Sequence, residues 1–186
     1  LMEQKEKVKE IELAIMDMWI ACYEEFYQLI VQRGSLVSHW LGTWAFGKHY
    51  PMQCDFSAMI SPDMFQEVFV PALRKQARYL DCPIYHLDGP GVVKHLPALL
   101  SIEEIKAIQW VPGDGAPRIL HWIPLLQKIQ AGGKRVIVYA SPEEALEAID
   151  YLEPSKTMFF IDRLLPSVEE AEAFIQSMSA RCRERR

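Results

Sequence analysis

The sequence predicts an α/β fold of the (β/α)8-barrel type, present as five βα units with a long helix in front. Three observations predict it. Strand-like and helix-like segments alternate with a period of about 25 residues. The strand-like runs are short and apolar without polar alternation, as expected of strands buried on both faces of a parallel sheet. Successive runs end in chemically capable side chains, and barrels place their chemistry at the C-terminal ends of strands. A doubly wound sheet is the rival, but neither GxGxxG nor GxxxxGK[ST] is present to hold a nucleotide.

The opening helix follows from Val8, Ile11, Ile15, Met18, Cys22, Phe26, Leu29 and Ile30, spaced by three and four residues. Gly34 stops it, and the added width from Trp19, Tyr23 and Tyr27 points to a core-packed helix rather than a coiled coil. Residues 36–41 read as the first strand, followed by an aromatic loop. Ser61-Pro62 opens a helix to about Leu80, with Pro71 as a kink. Residues 83–87 form the second strand, closed by Asp88-Gly89-Pro90-Gly91, and a helix runs from about Val92 to Leu100. Ser101–Glu104 reads as a capping box, residues 106–111 as the third strand, and Trp122 to Ile129 as a helix ended by Gly132-Gly133. Residues 134–140 are the fourth strand, Ser141–Glu144 a further capping box, and residues 157–161 the fifth strand. Ser167 caps the final helix.

Half of the residues are apolar and 11% are aromatic, enough for a packed core. The net charge of −5 gives no basic footprint for nucleic acid. The one basic cluster, Arg181 to Arg186, reads as a helix end whose cations suit the dipole. Cys22, Cys54, Cys82 and Cys182 are scattered without a CxxC pair, against a disulfide framework or zinc ribbon and in keeping with the cytoplasm. Asp17, Glu24 and Glu25 interrupt the apolar run at 11–31, so no membrane span or signal peptide is expected.

Five units cannot close a barrel, which needs eight and roughly 250 residues. The chain is therefore expected to be a single partial-barrel domain over 1–186, with upstream units supplied elsewhere or by association of halves. An open parallel edge invites pairing, so a homo-oligomer is expected.

Chemistry is expected where the runs end. His86 and Asp88 lie two apart on a strand and share a face. They could bind zinc with Asp162, Cys54 or Asp55 as a third ligand, act as an acid–base pair, or merely hydrogen-bond in a loop. Tyr139 and Asp162 end later strands and join them as catalytic candidates. The loop 40–50, with Trp44, Lys48 and His49, suits a flat ligand bearing carboxylates, or packs on the barrel rim. Asp55, Trp110 and Arg163 complete the substrate-binding candidates; Arg163 could grip a carboxylate or pair with an acid. His39, His95 and His121 have no partner at metal spacing, and Glu144 is explained by capping.

The stretch from Cys54-Asp55 through Ser61-Pro62-Asp63-Met64-Phe65 to Val70-Pro71, with Ile84-Tyr85-His86-Leu87-Asp88-Gly89 and then Ile108-Gln109-Trp110, resembles the uroporphyrinogen decarboxylase superfamily. The resemblance covers about residues 10–178. It implies the last five units of a (β/α)8 TIM barrel, with the substrate-gripping part of the decarboxylases mostly upstream. It implies either a carboxy-lyase without a cofactor, or a methyltransferase with zinc and a corrinoid protein partner. Ile161-Asp162-Arg163 stands where the decarboxylases carry Gly-His-Gly, which points away from porphyrinogen decarboxylation itself. His86-Leu87-Asp88 stands where the methyltransferases carry His-x-Cys. The expected function is an enzyme acting on a small carboxylated or methylated substrate; the alternative is a truncated, non-catalytic binding or assembly piece.

Overall fold

The apolar repeat at the start of the chain forms helix α1, Lys5–Gln32, in a computed structural model that describes residues 3–185. Gly34 ends it at φ 67°, a left-handed conformation that costs glycine little. One face of α1 packs: Trp19 stacks on Tyr23 at 5.0 Å, and Tyr23 meets the edge of Tyr79 at 5.9 Å. The other face does not, because Ile11, Ile15, Met18, Phe26 and Leu29 are all exposed. The expected core helix is thus packed on one side only.

The structure divides into two compact units. The first runs to Leu87 and takes in Gly91–Lys106; the second comprises Asp88–Pro90 and the chain from Ala107 onward.

In the first unit, the expected strand at 36–41 is corrected. Only Val37–Ser38 (β1) is extended, and it pairs antiparallel with Trp44–Ala45 (β2) across a tight turn. The first parallel strand is instead His49–Met52 (β3), paired with Cys82–Asp88 (β4) in the register His49 to Cys82 and Met52 to Tyr85. Proline at position 51 hid it from the sequence. Pro51 has no N–H for a ladder, and such residues belong to strands with one free edge. Gly47 precedes β3 so close to Asp81 that a Cβ would sit 2.6 Å from Oδ2, while Asp81 accepts the Lys48 N–H at 2.8 Å.

The helix opened by Ser61 is α2, Pro62–Met64, continuing through a π turn at Phe65–Phe69 into α3, Val70–Tyr79. Ser61 Oγ accepts the Met64 N–H at 3.2 Å. Pro71 cannot donate to the preceding turn, and the wider π turn beside it absorbs the missing bond. A 3-10 turn, Pro90–His95, leads into α4, Leu96–Leu100. The expected capping box at 101–104 does not form. Ser101 Oγ donates back to Ala98 O at 2.7 Å, and Glu104 takes Arg78 Nε at 2.8 Å.

The second unit holds three parallel strands in chain order: Ala107–Val111 (β5), Arg135–Ala140 (β6) and Thr157–Ile161 (β7). The middle strand buries one face fully, with Val136, Val138 and Ala140 nearly without solvent contact. Ile123–Ala131 (α5), Pro142–Ala148 (α6) and Val168–Glu184 (α7) follow the strands. Gln130 ties α5 to β7, accepting from Glu153 N at 2.9 Å and donating to Thr157 Oγ1 at 2.9 Å. Near the end of α7, Arg181 Nη1 donates to Leu146 O at 2.9 Å and pairs with Asp150.

Helix α6 starts with a full capping box. Ser141 Oγ accepts Glu144 N–H at 3.2 Å, and Glu144 Oε2 accepts Ser141 N–H at 3.0 Å. Ser141→Ala is expected to cost about 1 kcal/mol, measured as a lower denaturation midpoint with an unchanged slope. Among the described residues, no helix is long and apolar enough to cross a membrane.

Candidate active site

The C-terminal ends of β5, β6 and β7 open onto a cleft of about 380 Å³ in the second unit. Its lining combines the loop from Val111 to Ile119 with Tyr139, Glu144 and Asp162. Each arrives by a simple local rule. Tyr139 is the penultimate residue of β6 and points away from the buried Val138 and Ala140. Asp162 follows β7 directly, its N–H bonded to Ala140 O at 3.0 Å. Glu144 is fixed by the capping box. Gly113 and Gly115, at φ 87° and 72°, let the loop turn back so that Arg118 reaches the cleft.

Arg118 organises the charges. Its Nε donates to Glu144 Oε1 at 2.7 Å and its Nη2 to Glu144 Oε2 at 2.5 Å, a bidentate pair. Nη2 also donates to Asp162 Oδ2 at 2.7 Å. These bonds hold the guanidinium further above its ordinary range and pull the Glu144 carboxyl down, chiefly through the Arg118 contact. The two N–H groups of Nη1 lie outside this set. Tyr139 is about half exposed, its ring stacked on Phe160 at 5.3 Å. A cation, a phenol and a carboxylate therefore share one open cleft, a combination able to orient an anionic group and to exchange a proton beside it.

Of the expected residues, Tyr139 and Asp162 come together here. Arg163 does not join them; it pairs outward with Glu143 at 2.5 Å. Trp110 is 1% exposed and packs edge-on against Trp122 at 4.9 Å, so it lies behind the cleft as core. Asp88 is exposed at the end of β4. In the first unit, His86 meets the ring of Trp40 edge-to-face at 5.0 Å. Asp55 is exposed and takes a long bond, 3.4 Å, from Gln53. Trp44 is exposed.

Lys48 and His49 are committed elsewhere. Lys48 Nζ pairs with Glu24 at 2.6 Å and lies 4.2 Å from the centre of the Tyr79 ring. The Lys48 partnership drives the Glu24 carboxyl to about 2. His49 is 4% exposed and begins β3, the opposite strand end from the one where barrel chemistry is sited. Residues 40–50 read as one aromatic loop because β3, His49–Met52, carries no hydrophobic period.

The zinc expectation finds no complete donor set: among the described residues, no three His, Cys, Asp or Glu side chains are arranged to hold a metal ion. The Cys54 thiol is pushed up to about 11 by burial, opposite to the thiolate a metal needs. Arg118 and Glu144 are the members of the cleft that sequence reasoning did not assign to it. Gly113 and Gly115 mark a loop ahead of Arg118 in the sequence but do not say where its side chain reaches. Glu144 offered no signal beyond its cap.

In comparisons with known proteins, the chain matches no family model, no curated protein and no solved structure.

Proposed function

We propose that the protein is a uroporphyrinogen decarboxylase-like enzyme of partial-barrel architecture, acting on a small carboxylated substrate at the cleft above β5, β6 and β7. The carrying observation is the meeting of Arg118, Tyr139 and Asp162 at the ends of parallel strands. In this reading, Arg118 takes a substrate carboxylate through Nη1 while Glu144 keeps the guanidinium in place. When a second carboxylate leaves as CO2, its C–C bond electrons remain on carbon. A proton from Tyr139 Oη quenches them, and Asp162 guides proton return from solvent. What supports a carboxylated ligand over a methylated one is the Nη1 edge of Arg118, which lies outside the bonds to Glu144 and Asp162.

Heteronuclear NMR mapping with a panel of small mono-, di- and tricarboxylates tests the binding half. Expected are shifts confined to residues 111–119, Tyr139 and Asp162, weakened at least tenfold in affinity by Arg118→Ala, a loss of about 1.4 kcal/mol. Release of labelled CO2 from the ligands that bind tests the chemical half, with Tyr139→Phe expected to slow it by about 100-fold. Carboxylates that leave these residues unshifted, while methylated amines or thiols move them, would transfer the site to the methylated class.

A further inference from the structure

Three ring and hydroxyl atoms in the first unit form a nearly equilateral triangle. His39 Nε2 lies 2.9 Å from His49 Nε2, and Thr43 Oγ1 lies 2.9 Å from the former and 2.8 Å from the latter. The outer ring nitrogens fix where the protons sit. His49 Nδ1 faces the carbonyl of Cys82 at 2.6 Å, so Nδ1 carries a hydrogen and Nε2 a lone pair. His39 Nδ1 faces the Leu41 N–H at 3.2 Å, so it is the acceptor and Nε2 carries the hydrogen. The triangle is then saturated: His39 Nε2–H points to His49 and Thr43, and the Thr43 hydroxyl donates to His49 Nε2.

That proton count decides between two uses. A metal would need lone pairs on both Nε2 atoms, and His39 has none to offer. A proton arriving on His49 Nε2, in contrast, sets two N–H groups head to head at 2.9 Å and removes the acceptor. Among the described residues, no carboxylate hydrogen-bonds either ring. Tyr23 of α1 contributes a hydroxyl that accepts from His49 N and donates to His49 O. Tyr50 brings only its ring, 6.2 Å from His39, and β4 offers the Cys82 carbonyl and a thiol. Glu24 bonds Lys48 and Tyr79, and Asp81 accepts the Lys48 N–H, so neither carboxylate bonds the rings. Burial lowers both rings, His39 to about 4.

The triangle has a mechanical output. It fastens the turn between β1 and β2 to the start of β3, and Trp40, in that turn, packs its ring edge-to-face on His86. We propose that His39, Thr43 and His49 form a proton-operated latch: with both rings neutral it holds the β1–β2 hairpin and Trp40 against His86, and proton uptake at His49 Nε2 releases them. The sign follows from the lowered folded-state values. The latch is fully made above the ordinary histidine value of 6.5 and is lost as pH falls below it toward the lowered value of His49.

Amide hydrogen exchange of the full chain between about pH 7.5 and pH 4.5, corrected for intrinsic rates, reads the latch directly. Protection of Leu41 and Gly42, whose N–H groups bond within the turn, should fall at least tenfold, while Leu126 and Ile129 in α5 stay protected. In His39→Gln/His49→Gln the turn should lose this pH step, whether its protection is uniformly high or uniformly low. A flat profile in the parent chain, an unchanged step in the double variant, or simultaneous loss in α5 would each overturn the latch.

Discussion

Arg118→Ala is expected to lower catalytic efficiency at the cleft about 100-fold, the usual cost of a reactive group displaced by about 1 Å. The argument rests on what Arg118 holds rather than on its charge alone. It bonds Asp162 and Glu144 at once, and both acids sit at element ends. Without it, two carboxylates face one cleft and drift apart. The stability cost is small, because Arg118 is largely exposed and solvent screens its pairs. Glu144 would lose its main acid-strengthening partner, so its carboxyl should titrate higher, visible by carbon-detected NMR. Arg118→Lys should restore little, since an ammonium cannot reproduce the two-point contact with Glu144. If Glu144 titrates identically in both variants and in the parent, the clamp does not persist in solution.

The largest stability effect is expected at Phe65. Its side chain is wholly buried, its ring 4.3 Å from His95 and 6.5 Å from Phe69 between ring centres. It also opens the π turn, where the backbone is already irregular. Phe65→Ala should cost about 3–5 kcal/mol. The void would border His95, whose Nε2 faces Ser57 O at 2.8 Å and whose Nδ1 has no partner. Water entering beside Nδ1 would recover part of that sum, placing the value toward the lower end. Phe65→Leu should lose less than half as much. Equilibrium denaturation separates the cases, and equal losses for the two variants would contradict the packing assignment.

Elements with strong punctuation were legible in the sequence. Ser61-Pro62, Ser141-Pro142 and Ser167 each begin a helix with the hydroxyl accepting a backbone N–H. Runs rich in β-branched and aromatic residues read as strands at 134–140 and 157–161, where β6 begins one residue later, at Arg135, and β7 as expected. β3 was illegible because four residues with proline third carry no hydrophobic period, and its partner strand alone decides its register. That miss displaced Lys48 and His49 to the wrong strand end. Tyr139 and Asp162 could be placed because a strand's last residues are fixed by its length. Arg118 could not, because its reach depends on the path of a glycine loop, which is set by tertiary contacts. The His39–His49 pair was invisible for a related reason: ten residues separate them, and only the short hairpin brings their rings together.

The placement of the indoles has an optical consequence. Trp19, Trp40 and Trp44 lie in the first unit, Trp110 and Trp122 in the second. Trp110 is dry and its Nε1 has no partner, so it should emit at short wavelength, whereas the exposed Trp40 and Trp44 should emit near the value of indole in water. The short-wavelength component then reports on the second unit and the long-wavelength component mostly on the first. One heating or denaturant series, resolved by emission colour, would show whether the two units come apart together or in sequence.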